Sequence, residues 1–101
     1  MKQRKLAKLW KNLAALRRGT HKAREFESLA QRLGRELVKR GKHPMWESTV
    51  FDELDALSIP RHGGKDIPPG TKKSILNQLE DDLLAWEERL GKKENGSESE
   101  D

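Results

Sequence analysis

The hydrophobic positions near the start of the chain recur every three or four residues, with basic residues between them. They fall within residues 2–17, at Leu6, Leu9, Trp10, Leu13 and Leu16. This spacing predicts a basic amphipathic helix that ends at Gly19-Thr20. The apolar stripe of such a helix usually packs on its own domain, so Trp10 is predicted to be a core residue. A membrane surface or an RNA strand is the alternative partner for a helix of this kind.

A second helical pattern runs from about Lys22 to Leu33, and Gly34 ends it. Two short β-type runs follow, residues 36–40 and 45–48, with Gly41-Lys42 as the turn of a hairpin. An acidic connector of residues 49–56 leads to a third predicted strand, Leu57–Ile59.

The last predicted helix runs from an N-cap at Thr71 to about Leu90. Its apolar positions keep helical spacing, at Ile75, Leu76, Leu79, Leu83, Trp86 and Leu90. The acids at positions 80–82 are interpreted as a solvated helix face. The expected fold class is therefore α+β: a small antiparallel three-stranded sheet packed by helices, in the order α-β-β-β-α, with an extra N-terminal helix.

Composition limits the chain to one small domain. It has 101 residues, of which 33% are hydrophobic and 38% charged. No apolar run reaches the roughly 18–20 residues of a membrane span, and no signal-peptide core is visible. The absence of cysteine excludes disulfide and thiolate chemistry. We expect a cytoplasmic protein that does not associate with a membrane.

Charge is distributed unevenly along the chain. Residues 1–24 hold nine Lys and Arg and no acid, whereas residues 76–101 hold nine acids against three basic residues. A basic front half favours a polyanionic partner, with nucleic acid as the first candidate. The alternative is a charge pattern that only keeps the chain soluble.

Lys72 and Lys73 follow the predicted N-cap, in a first helical turn where the macrodipole disfavours cations. Free backbone N–H groups and two ammonium groups at a helix start are typical of an anion site, so this segment predicts phosphate binding. Two exposed lysines without a role are the alternative interpretation.

Three segments together resemble one protein family. They read Phe26-Glu27-Ser28-Leu29, then LGRELVKRG over residues 33–41, then IPRHGGKDI over residues 59–67 with Pro69-Gly70-Thr71 and Ser74-Ile75-Leu76 after it. From about Phe26 to Leu79 the chain resembles the HicA family of bacterial toxins, mRNA interferases that are neutralised by HicB antitoxins. The resemblance implies a fold like that of the double-stranded-RNA-binding domain, with RNA and a HicB-like antitoxin as partners.

The same resemblance assigns a catalytic position. The HicA hairpin reads Gly-Ser-His-His, and the first histidine is the presumed catalytic group; here the sequence is Gly41-Lys42-His43-Pro44. His43 therefore matches the catalytic histidine, while Lys42 replaces the serine and Pro44 replaces the second histidine. A histidine titrates near neutral pH and can serve as the base in RNA cleavage without a cofactor or metal.

The residues predicted to bind RNA phosphates are lysines, arginines and one histidine. They cluster at the hairpin and around the start of the last helix: Lys39, Arg40, Lys42, Arg61, His62, Lys65, Lys72 and Lys73. The predicted organisation is a basic amphipathic helix over residues 1–18, a HicA-like domain over residues 20–90 and a disordered acidic tail over residues 91–101. Two other functions stay open: a non-catalytic RNA-binding module with the same fold, and a protein-interaction domain.

Overall fold

The computed structural model describes the backbone of residues 1–40, 43–60 and 64–100, and the side chains of these residues except at positions 40, 43 and 92–100. Its elements, in chain order, are α1 Gln3–Arg17, α2 Ala23–Arg32, β1 Arg35–Arg40, β2 His43–Ser48 and α3 Pro69–Glu100. The α+β class and the extra N-terminal helix are confirmed. Within this described part of the chain, no helix combines the length and the apolar character that crossing a membrane requires.

One hydrophobic core joins α1 to the rest of the molecule. The predicted leucine stripe of α1 is buried, at Leu6, Leu9, Leu13 and Leu16, and α1 packs on α3. Trp10 is only partly buried against this core. The predicted stripe of α3 lies in the same cluster, down to Trp86 and Leu90. The helical periodicity therefore located the core correctly.

The end of α2 is fixed by Gly34, whose φ of 97° lies in the left-handed region that glycine tolerates. A Cβ at this position would also lie 3.1 Å from Cγ2 of Val50. The Thr49 backbone N–H donates to the Gly34 carbonyl at 2.9 Å, and Trp86 Nε1 donates to the Leu33 carbonyl at 2.9 Å. Both bonds satisfy carbonyls at the end of α2. The first ties this end to the segment after β2, and the second ties it to α3.

The described part of the sheet has two strands, so the prediction of a three-stranded sheet is not confirmed. The run predicted as the third strand forms only an isolated bridge between Leu57 and Trp46. Its two backbone hydrogen bonds measure 2.7 and 2.8 Å. The next reciprocal pair would need an N–H from Pro44, which has none, so the ladder cannot continue towards Ile59.

Both ends of the last helix differ from the prediction. α3 begins at Pro69 rather than after Thr71, because proline suits the first helical position, where the N–H has no partner within the helix. The helix also continues past Leu90 to Glu100. The assignment of residues 91–101 to a disordered acidic tail stays a prediction.

A buried ion pair joins β1 to α3. Arg35 donates from Nε and Nη2 to the two carboxylate oxygens of Asp82, both at 2.8 Å. Its Nη1 donates to the carbonyls of Trp46 and Asp55 at 2.8 and 2.9 Å. Arg35 is 3% exposed and Asp82 0%. The interpretation of Asp82 as part of a solvated face is therefore wrong.

Candidate functional site

The position of the candidate catalytic histidine is defined by the hairpin register. His43 is the first residue of β2 and pairs with Arg40, the last residue of β1. The next pair is Lys39 with Pro44. The turn residue Lys42 lies outside the described residues, so its predicted role stays a prediction. The backbone thus brings three of the named positions, 39, 40 and 43, to one end of the sheet.

These three positions do not all share one side of the sheet. Side chains alternate along a strand, so Lys39 belongs with Leu37 and its partner Trp46, whereas position 43 belongs with Val38 and Met45. Lys39 lines a groove of about 440 Å³. Its other walls are mainly apolar and include Leu37, Pro44, Trp46, Ile59 and Pro60. At the hairpin end, the side of the sheet that carries Lys39 forms a mostly apolar groove, and position 43 belongs to the other side.

The two lysines of the predicted anion site at the start of α3 have different surroundings. Lys72 Nζ donates to the carbonyls of Arg17 and Gly19 at 2.9 and 2.8 Å. A cation there satisfies carbonyls at the C-terminal end of α1 and complements its dipole. Lys73 and Lys65 are exposed to solvent. Arg61 and His62 lie outside the described residues. Lys73 is therefore accessible to a ligand, while the ammonium group of Lys72 is used in hydrogen bonds within the fold.

Two backbone contacts hold the same segment against the junction between α1 and α2. The Ile67 N–H donates to the His21 carbonyl at 2.9 Å. Asp66 forms an isolated antiparallel bridge with Lys22. The segment that follows the predicted RNA-binding loop is therefore held against the residues that connect α1 to α2.

Sequence reasoning assigned no role to His21, yet its ring lies among three hydrogen-bond acceptors. Nε2 lies 2.6 Å from the Arg18 carbonyl and 3.2 Å from the Ala15 carbonyl, and Nδ1 lies 3.1 Å from the Glu25 carboxylate. Partial burial lowers the pKa of His21, but the bonds to Arg18 and Glu25 outweigh it and leave the pKa raised. The available signal was its place two residues after Gly19, where a cation can cap a helix.

A comparison with protein families agrees with these features. The model of the HicA toxin of bacterial toxin–antitoxin systems matches residues 23–80. This range begins at α2, includes the hairpin and ends within α3. No curated protein and no solved structure matches the chain.

The match and the small α+β fold define the class of protein as the toxin component of a bacterial toxin–antitoxin system. The chain belongs to the HicA family. The α+β arrangement is consistent with the fold that the resemblance implied. The matched range leaves out α1 and the last part of α3, although both contribute to the core.

Proposed function

We propose that the protein is a metal-independent endoribonuclease that cleaves messenger RNA in the cytoplasm and is neutralised by a HicB-like antitoxin. The observation that supports this most directly is the membership of the HicA family together with a histidine at the hairpin end. The backbone register pairs position 43 with position 40, whereas position 39 belongs to the other side of the sheet. A histidine base and an arginine at paired positions would suit cleavage of a phosphodiester.

The proposed reaction uses the RNA itself as nucleophile. His43 accepts the proton of a 2′-hydroxyl, and this oxygen attacks the adjacent phosphorus. Cations at the hairpin stabilise the negative charge of the phosphorane. The bond from phosphorus to the 5′-oxygen breaks as that oxygen takes a proton from water, and the protonated His43 returns its proton to the solvent. The products are a 2′,3′-cyclic phosphate on one fragment and a 5′-hydroxyl on the other.

The first prediction tests this assignment with His43→Ala. Loss of a general base costs about 10²–10⁴-fold in rate, so the variant should lose RNA cleavage and growth inhibition. Its RNA affinity and melting temperature should stay close to those of the wild type, because the cations and the core are unchanged. Cleavage is measured on a labelled RNA with and without EDTA, and the fragment ends are analysed for the cyclic phosphate.

His21→Ala is the matched control, because it removes a histidine that caps α1 and does not belong to the hairpin. It should lower the melting temperature but keep cleavage at temperatures where the protein is folded. Equal cleavage by the wild type and His43→Ala would refute the catalytic assignment, and so would wild-type cleavage that stops in EDTA.

A second candidate is a non-catalytic RNA-binding module. The departures from the family hairpin favour it, since Lys42 and Pro44 replace a serine and a histidine. Under this alternative the wild type binds RNA with strong salt dependence and produces no fragments. The cleavage assay above therefore separates the two functions.

A further inference from the structure

One side of α1 carries a row of three cations, Arg4, Lys8 and Lys11, which we call the basic ridge. Their spacing of four and three residues places them on the same face of the helix. All three are exposed. The opposite face carries the buried leucines that pack on α3. The ridge is therefore held towards solvent by the packing of the helix.

The basic ridge has no acid near it along its own helix. Residues 1–24 contain no acid. Ion pairs elsewhere in the described part of the chain join Arg17 to Glu80, His21 to Glu25 and Arg35 to Asp82. None of these pairs includes a ridge residue. Three like charges thus lie in a row on one face of α1, and no acid within residues 1–24 lies between them.

The ridge does not stabilise its own helix either. Arg4 lies in the first turn, where the macrodipole disfavours a cation by about 0.3–1 kcal/mol. That turn contains no acid, and the Lys2 side chain makes no capping hydrogen bond. The helix dipole therefore does not account for the cation at position 4.

The position of the ridge suits a long polyanion. Arg4 and Lys11 are separated by about 10 Å along the helix axis. The far end of α1 is fastened to residues 66–72 by the contacts of His21 and Lys72. α1 therefore runs from the ridge towards the segment that contains Lys65 and Lys73, which are among the predicted phosphate-binding residues.

We propose that the basic ridge of α1 is a second binding surface for the RNA backbone, outside the segment shared with the HicA family. It rests on the proposed function in that its ligand is the same RNA that reaches the hairpin. A rigid row of cations binds phosphates without reading base sequence. It would add affinity for long RNA and leave the cleavage chemistry to the hairpin.

The test measures RNA affinity in a His43→Ala background, which prevents cleavage. The triple variant Arg4→Gln/Lys8→Gln/Lys11→Gln is compared with the charge-preserving Arg4→Lys/Lys8→Arg/Lys11→Arg. Two single-stranded RNAs of mixed sequence are used, one of about 25 nucleotides and one of about 6. Affinity is measured at several salt concentrations, and the melting temperature of each variant is recorded.

For the long RNA, the neutral triple variant should bind about tenfold to a hundredfold more weakly than its His43→Ala parent. Its slope of log affinity against log salt should fall by about 2, because each phosphate contact on a single strand contributes about 0.7. The short RNA should bind as before. The charge-preserving variant should match the parent, and neither triple variant should melt at a lower temperature.

Unchanged affinity and slope for the long RNA would overturn the proposal. The same triple change in the His43 form should leave the cleavage rate of the short RNA unaltered, and loss of that cleavage would also count against a separate surface. If the parent binds no RNA at all, the proposed function fails together with this inference. If the parent binds long RNA through the ridge but the His43 form never cleaves, only the proposal of endonuclease activity fails.

Vesicles with about 30% phosphatidylserine test the alternative of a membrane surface. If the neutral triple variant loses vesicle binding but keeps its RNA binding, the ridge binds membranes instead of RNA.

Discussion

At the scale of single residues, His21 shows how a helix end can favour one protonation state. A neutral imidazole donates from one ring nitrogen only, but both nitrogens of His21 lie near oxygen acceptors. The charged ring can donate to both, and it also complements the C-terminal end of the α1 dipole. The protonated form is therefore the one that the fold stabilises.

The pH dependence of stability follows from this preference. The pKa of His21 is raised in the folded state above its ordinary value of 6.5. Its contribution is thus fully present below pH 6.5 and is lost as the pH rises through the folded pKa. We expect His21→Gln to remove about 0.3–1 kcal/mol of stability at pH 6 and less at pH 9. Urea unfolding at both pH values measures the difference.

Because the wild type contains other histidines, the comparison with His21→Gln is what isolates His21. A Glu25→Gln variant should weaken the effect by removing the carboxylate beside Nδ1. If His21→Gln shows the same change of stability with pH as the wild type, the ring does not titrate as described.

The Arg35–Asp82 pair shows what sequence could and could not reveal about single residues. Asp82 lies three residues after Leu79 and four before Trp86, so its helical phase puts it on the apolar face of α3. That phase was a signal of burial. Burial raises the pKa of Asp82, although the Arg35 guanidinium opposes this effect. The identity of its partner, 47 residues away, depends on the tertiary fold and had no local signal.

At the scale of elements, the two lysines at the start of α3 have contacts that the sequence did not predict. The adjacent lysines at 72 and 73 look equivalent in the sequence. The fold brings the carbonyls of Arg17 and Gly19 to Lys72, and Lys73 remains exposed. Removing both charges together would therefore mix an effect on stability with an effect on RNA binding.

Separate substitutions should divide these effects. Lys72→Gln should lower the free energy of unfolding by about 1–2 kcal/mol, because it removes two charge-assisted hydrogen bonds from the end of α1. Lys73→Gln should change it by less than about 0.5 kcal/mol and should weaken RNA binding instead. Thermal or urea unfolding and RNA titration give the two readouts. Equal losses of stability in both variants would contradict the capping role of Lys72.

Most elements could be predicted from the sequence because their periodicity is local. The leucine stripe of α1 and the two β-type runs on either side of Gly41-Lys42 needed no knowledge of the partners they pack against. The prediction of a third strand was not confirmed because the neighbouring strand cannot pair with it over more than one bridge. Its residues have β-type character, but Pro44 on the neighbouring strand lacks the N–H that a longer ladder requires. The candidate site was located only through the family resemblance, because a single histidine after a turn does not by itself indicate catalysis.

At the scale of the whole molecule, the family segment and the hydrophobic core have different limits. The family match covers residues 23–80. The core also includes the α1 leucines before it, and Leu83, Trp86 and Leu90 after it. The segment that matches the family is therefore not a complete folding unit in this protein.

Truncation tests the other end of the core. Removing residues 91–101 should leave the melting temperature nearly unchanged, because this segment has no apolar residue to bury. Removing residues 84–101 should lower it strongly, since that change also deletes Trp86 and Leu90, which are 9% and 7% exposed. Circular dichroism melting curves compare both with the full chain. A large decrease for the shorter deletion would show that residues 91–101 are docked.

The packing of α1 on α3 also has a consequence for the time at which the toxin matures during synthesis. A ribosome releases the chain from its N-terminal end, so α1 emerges long before the residues that cover its leucines. Those residues extend to Leu90. The nascent chain must therefore carry an apolar helix that is not fully covered until Leu90 has been translated and has left the ribosome. A translation product that stops before Leu90 would lack part of the surface on which its first helix packs.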